Sequence, residues 1–103
     1  MTTNRIAFRV HGVVQGVGFR DFTQRRAVYY GLKGWVKNTT DGRVEGEAQG
    51  DEDSIQKLLK DIGQGPRLAH VVKVEKKEVP PRGDEEGFSC RVTSGSTFYS
   101  SDS

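Results

Sequence analysis

The chain has few of the residues that mark secreted, membrane-spanning or disulfide-linked proteins. Its 103 residues include one cysteine, Cys90, so no internal disulfide can form, and we expect a reducing, cytoplasmic setting. No apolar run approaches the roughly 20 residues that cross a bilayer. The N-terminus has no signal-peptide pattern and no glycine after Met1. We therefore expect a soluble protein without a membrane partner.

The chain also lacks a large excess of charge of either sign. Sixteen Lys and Arg residues nearly balance fourteen Asp and Glu residues, for a net charge of +2. This argues against nucleic acid as a partner, because binding by counterion release needs many phosphate contacts. The two histidines, His11 and His70, have no cysteine or carboxylate cluster at ligand spacing around them, so we expect no metal site.

The length fits a single domain, residues 1–103, and a monomer. We expect a folded core over about residues 5–92 and a tail, 93–103, whose serine-rich end beyond Gly95 frays. Cys90 alternates with Phe88 and Val92, which predicts a packed thiol in a short last strand.

Residues 5–11 alternate between two kinds of side chain, as a half-buried strand does. We expect the apolar set to face the core and the polar set to face water. The apolar set is Ile6, Phe8 and Val10, and the polar set is Arg5, Arg9 and His11.

The remaining pattern predicts helices, strands and turns in a fixed order. These are a helix at 20–30, a strand at 32–37, a turn at 38–42, a strand at 43–49, a helix from Asp51 or Asp53 to Ile62 that stops at Gly63, a strand at 69–79 and a loop at 80–87. The order β-α-β-β-α-β with a short added edge strand predicts an α+β fold. It is a two-layer, ferredoxin-like sandwich with a mostly antiparallel sheet and two helices on one face. We expect the first and third strands to be parallel neighbours, which would bring the turn after the first strand near Asn38.

A glycine-bearing turn precedes the first helix and ends in a positive charge. Gly16 and Gly18 give G-x-G, but Asp21 stands where a dinucleotide fingerprint has its third glycine, and no nucleoside-triphosphate loop motif is present. Arg20 at a helix N-terminus opposes the helix dipole, and a bound anion would relieve that conflict. The alternative is that the glycines make a tight turn and that Arg20 is a solvated charge.

Two motifs together resemble the acylphosphatase family over about residues 5–92. They are Val14-Gln15-Gly16-Val17-Gly18-Phe19-Arg20 and Gly34-Trp35-Val36-Lys37-Asn38-Thr39, the second followed by Asp41-Gly42. The resemblance implies hydrolysis of small acyl phosphates to carboxylate and inorganic phosphate, without metal or cofactor.

The same resemblance assigns roles to individual residues. Arg20 would bind the phosphate, Asn38 would position the attacking water, and Thr39 would give weaker support. Backbone amides of the loop would hold the phosphoryl oxygens, for which inorganic phosphate or sulfate would compete. The residues of that loop are Gln15, Gly16, Val17, Gly18, Phe19 and Arg20.

Two other functions fit the same fold class. A phosphate- or RNA-binding module without turnover is one, but no RNP1-like run occurs in a third strand. A domain of a larger carbamoyl-transfer protein is the other, although 103 residues leave no room for the rest. Asn38 also has the simpler interpretation of a turn residue.

Overall fold

The computed structural model describes residues 3–99, which form five strands and two helices. The elements are β1 (Asn4–Val13), α1 (Phe19–Tyr29), β2 (Lys33–Asn38), β3 (Val44–Gly50), α2 (Glu52–Gln64), β4 (His70–Glu78) and β5 (Phe88–Cys90). They lie within a residue or two of the predicted ranges, except that β5 ends at Cys90 and α2 continues past Gly63. Helix α2 ends at Gln64, because the next residue, Gly65, is its C-cap and has a positive φ.

The strands form one sheet in the order β4-β1-β3-β2-β5. The two helices contact each other and share one core with a single face of the sheet. This confirms the predicted ferredoxin-like sandwich. The expected parallel pairing of β1 with β3 is wrong, because β3 runs antiparallel to both β1 and β2. The crossover through α1 returns β2 parallel to β1, and the β2–β3 turn sends β3 back between them. The ends of β1 and β2 therefore reach the same edge of the sheet.

The core lies between the helices and one face of the sheet. From β1 it takes Phe8 and Val10, as predicted, and from α2 it takes the stripe Ile55, Leu58 and Ile62. The stripe has helical spacing, so one side of α2 is buried and the other is solvated. Asp51 caps this helix, because its carboxylate accepts a hydrogen bond from the amide of Ser54 at 3.2 Å.

The other face of the sheet is covered where it includes Arg5 and Arg9 of β1, contrary to the expectation for that strand. Arg5 is 1% exposed and Arg9 is 4% exposed. Arg5 forms ion pairs at 2.7 Å with Glu47 on β3 and with Glu85 in the loop before β5. Strand alternation correctly separates the two faces, but it does not show that later segments cover the charged one.

Residues 94–99, which we name the C-terminal strap, supply part of that cover. Ser94 pairs with the backbone next to the end of β2, and the amide of Thr97 donates to Glu45 at 3.0 Å. Phe98 is 9% exposed, and the hydroxyl of Tyr99 donates to Glu75 at 2.6 Å. The expected fraying beyond Gly95 is therefore wrong for residues 96–99, and residues 100–103 lie outside the described part of the chain.

Two further side chains differ from expectation. Cys90 is exposed rather than packed, because β5 is a three-residue strand at the sheet edge. His11 is half-buried rather than solvated, and its Nδ1 atom accepts a hydrogen bond from Nε of Arg43 at 2.8 Å. Although the residue is exposed, its Sγ atom lies 3.4 Å from Oε1 of Gln24 on α1, and the loss of water on that side raises the pKa of the Cys90 thiol.

Candidate active site

The loop between β1 and α1 is shaped by glycine. Gly16 and Gly18 have φ values of 74° and 76°, in the left-handed region that favours glycine. Gly18 is the N-cap of α1 and has no side chain to cap the helix, and the first helical bond runs from the amide of Phe22 to its carbonyl at 2.9 Å. The amides of the first turn are therefore available to an anion.

A cavity of about 180 Å³ lies at this helix N-terminus. It is lined by Val14, Gly16, Gly18, Phe19, Arg20, Asp21 and Asn38. The two sequence motifs assign Arg20 and Asn38 to the same site, and both residues line this cavity. Two predicted loop residues do not line it: the side chain of Gln15 contacts the next turn, and Val17 packs against the core.

Arg20 is oriented by a neutral backbone group. Its guanidinium donates to the carbonyl oxygen of Arg91 at 3.1 Å, in the segment after β5. Asp21 beside it forms its ion pair with Arg25, one turn along α1, at 2.9 Å. The charge of Arg20 is therefore not neutralised by its neighbouring carboxylate, and its remaining donors are available to an anion.

The β2–β3 turn brings Asn38 to the cavity, and Gln15 links that turn to the glycine loop. The amide Nε2 of Gln15 donates to the carbonyl oxygens of Thr39 at 2.7 Å and Arg43 at 2.9 Å. Thr39 is 1% exposed, and its hydroxyl accepts from the amide of Arg43 at 2.9 Å. Its side chain stabilises the turn next to Asn38 and does not line the cavity.

The turn also contains an ion pair that the sequence reasoning missed. Asp41 accepts a hydrogen bond from the hydroxyl of Thr39 and another from Arg9 at 2.6 Å. Together these contacts lower the pKa of Asp41 to about 2. The sequence gives only a weak signal for this pair, because the alternating pattern of β1 predicts a solvated Arg9 and Asp41 lies within a predicted turn.

Within residues 3–99, no three His, Cys, Asp or Glu side chains come together as a metal site would require. Over the same range, neither helix has the length and apolar character needed to cross a membrane.

The architecture is that of a ferredoxin-like α+β protein with a cavity where a glycine loop, a helix N-terminus, an arginine and an asparagine meet. The sequence model of the acylphosphatase family matches residues 6–90. The chain belongs to the acylphosphatase family, whose enzymes hydrolyse acyl phosphates.

Individual relatives support the same assignment. An acylphosphatase of Salinibacter ruber is 42% identical over 90 residues, which cover 87% of this chain and 95% of the relative. One of Geobacillus kaustophilus is 44% identical over 94 residues, which cover 91% and 98%. The structure of an acylphosphatase from Coxiella burnetii superimposes with a TM-score of 0.83 at 38% identity, covering 86% of this chain and 93% of that one.

Proposed function

We propose that the chain hydrolyses small acyl phosphates by in-line attack of a water molecule, without a metal ion or cofactor. In this proposal Arg20 and the backbone amides of residues 15–20 bind the phosphoryl group, and Asn38 positions the water. The observation that carries the proposal is that Arg20 and Asn38 line the same cavity of about 180 Å³ at the N-terminus of α1.

The chemistry of the substrate explains why these groups suffice. The leaving group is a carboxylate, which departs without a strong general acid, so catalysis needs charge stabilisation and alignment. Arg20 and the first-turn amides supply charge-assisted hydrogen bonds of about 1.5–3 kcal/mol each. Because Gly16 and Gly18 place no side chain in the loop, the phosphoryl oxygens can approach the backbone closely.

The proposed role of Asn38 follows from the properties of an amide. Its carbonyl oxygen accepts a hydrogen bond from water, and its NH₂ group donates to a second oxygen. An amide is too weak a base to deprotonate water, so a phosphoryl oxygen of the substrate takes the proton in this mechanism. The rate should then show no dependence on an enzyme group that titrates near pH 6–7.

Hydrolysis of benzoyl phosphate by Asn38→Ala tests the proposal. We expect turnover to be lost while inorganic phosphate or sulfate still competes for the site, because Arg20 and the loop amides remain. Thr40→Ala is the matched control, since Thr40 is the exposed neighbour two residues along the same turn. Normal turnover by Asn38→Ala would remove this residue from the mechanism.

A second assay concerns the metal and the cofactor. The purified wild-type chain should hydrolyse benzoyl phosphate equally well before and after dialysis against a chelator. Activity that disappears with the chelator and returns with a divalent cation would contradict the metal-free mechanism.

We also infer that the chain acts as a cytoplasmic monomer that binds neither nucleic acid nor membranes. The single cysteine and the small net charge of +2 support this inference. Sedimentation analysis at increasing concentration tests the monomer, and titration with labelled RNA tests the absence of nucleic-acid binding.

A further inference from the structure

Arg9 connects three segments of the chain behind the site. Its guanidinium is buried and donates to Asp41 at 2.6 Å, to Glu45 on β3, and to the hydroxyl of Ser96 at 3.1 Å. The ring of Tyr99 lies 5.0 Å from the guanidinium carbon. The planar arginine side chain is suited to this role, because its fork can bond two carboxylates at once.

The contacts of Arg9 reach Asn38 by two routes. Through the turn, Asp41 accepts from the hydroxyl of Thr39, the residue directly after Asn38. Through the C-terminal strap, Ser94 donates its amide to the carbonyl of Asn38 at 3.3 Å and accepts from the amide of Thr40 at 3.1 Å. The backbone on both sides of the Asn38–Thr39 peptide is therefore held by groups that lie outside the cavity.

The strap lies beyond the part of the chain that the family model covers. That match ends at residue 90, whereas the strap contacts begin at Ser94. Glu45 is 1% exposed, and its carboxylate accepts hydrogen bonds from the guanidinium of Arg9, the hydroxyl of Ser96 and the amide of Thr97. A buried carboxylate with this many donors keeps both the strap and Arg9 in one arrangement.

We propose that Arg9 is a positioning residue for the reaction, which holds the Asn38 turn in place through Asp41 and through the C-terminal strap. This inference rests on the proposed role of Asn38. Arg9 does not line the cavity, so it acts on the direction of attack and leaves phosphate binding to Arg20 and the loop amides. A displacement of about 1 Å at such a group can lower a rate by about 100-fold.

Asp41→Ala is the first variant for the test, because the Asp41 side chain is 52% exposed and its loss leaves no buried cavity. We expect kcat for benzoyl phosphate to fall by about 10- to 100-fold. The inhibition constant of inorganic phosphate should stay within about twofold of wild type, since its binding groups are unchanged. Asp41→Asn should recover only part of the lost kcat, because Thr39 and Arg9 donate to different oxygens of the carboxylate and a single amide oxygen can replace one of them.

Direct removal of Arg9 would leave Glu45 charged and buried, so the second variant changes both residues, Arg9→Met with Glu45→Gln. It should reproduce the fall in kcat with unchanged phosphate inhibition. The matched control is Asp84→Ala, which breaks an exposed pair with Arg82, at 2.8 Å, in the loop before β5. This control should keep wild-type kcat.

The outcomes separate the inference from the proposed function. If Asn38→Ala is inactive but Asp41→Ala and the double variant retain wild-type kcat, the positioning role of Arg9 is wrong. A parallel loss of phosphate inhibition in these variants would also overturn it, because that result indicates a general loss of structure. If Asn38→Ala itself remains active, the water-positioning mechanism fails first.

Discussion

The side-chain amide of Gln15 donates to the carbonyl oxygen of Thr39 at 2.7 Å, which joins the glycine loop to the turn that carries Asn38. The loop and the turn lie in different parts of the chain: the loop precedes α1, and the turn follows β2. Gln15 therefore sets the spacing between the proposed phosphate-binding groups and the proposed water-positioning amide, without lining the cavity itself.

We predict that Gln15→Ala lowers both stability and activity. The variant loses two hydrogen bonds, to Thr39 and Arg43, so the free energy of unfolding should fall by about 1–3 kcal/mol. Urea unfolding measures this value, and kcat at 25 °C measures the activity. Gln56→Ala removes an exposed Gln–Glu52 bond on α2 and should change stability by less than about 0.5 kcal/mol. Equal effects of the two variants would contradict this role of Gln15.

Arg20→Lys tests the value of a planar fork at the helix N-terminus. The lysine keeps the charge but cannot form two parallel hydrogen bonds to a phosphoryl group. We expect the inhibition constant of inorganic phosphate to rise about tenfold or more, which corresponds to one lost charge-assisted bond. Arg25→Lys on the same helix, with its exposed partner Asp21, should leave that constant unchanged. Unaltered inhibition in Arg20→Lys would show that the charge alone is used.

Gly12→Ala should be among the most destabilising substitutions in β1. Gly12 has a φ of 128°, and an added Cβ would lie 2.1 Å from the carbonyl oxygen of His70 at the bulge between β1 and β4. We expect the free energy of unfolding to fall by more than about 3 kcal/mol. Gly63→Ala inside α2 meets open space and should stabilise by about 0.5–1 kcal/mol. Thermal or urea unfolding of both variants measures the two changes in the free energy of unfolding, which should have opposite signs.

Asp41 should contribute to stability at neutral pH and lose that contribution in acid. Its pKa in the folded chain is about 2, below the ordinary value of 3.8, because Thr39 and Arg9 donate to the carboxylate and Arg43 adds a nearby charge. A depressed pKa gives stability that is complete above about pH 5, begins to fall near the ordinary value of 3.8 and is lost as the pH falls through 2. The difference in unfolding free energy between wild type and Asp41→Asn should therefore narrow between pH 5 and pH 2. A difference that stays constant over this range would contradict the assignment.

Much of the site could be predicted because it is local in sequence. The glycine turn, the helix start beside Arg20 and the turn that follows Asn38 each depend on a few adjacent residues, and the structure has all three. The contact of Arg9 with Asp41 could not be predicted in this way. It requires the antiparallel register that places Arg9 opposite Glu45, and the expected parallel pairing of β1 with β3 did not contain it.

By itself, the chain of amino acids determined the order of the helices and strands, the apolar stripes that form the core and the two motifs of the family. These follow from backbone preferences and from side-chain periods of two and 3.6 residues, which are properties of short segments. The tertiary structure alone decided that the charged face of β1 is buried and that the strap packs near Asn38. Those outcomes depend on which distant segment covers a surface, and an alternating pattern defines two faces without showing what covers either one.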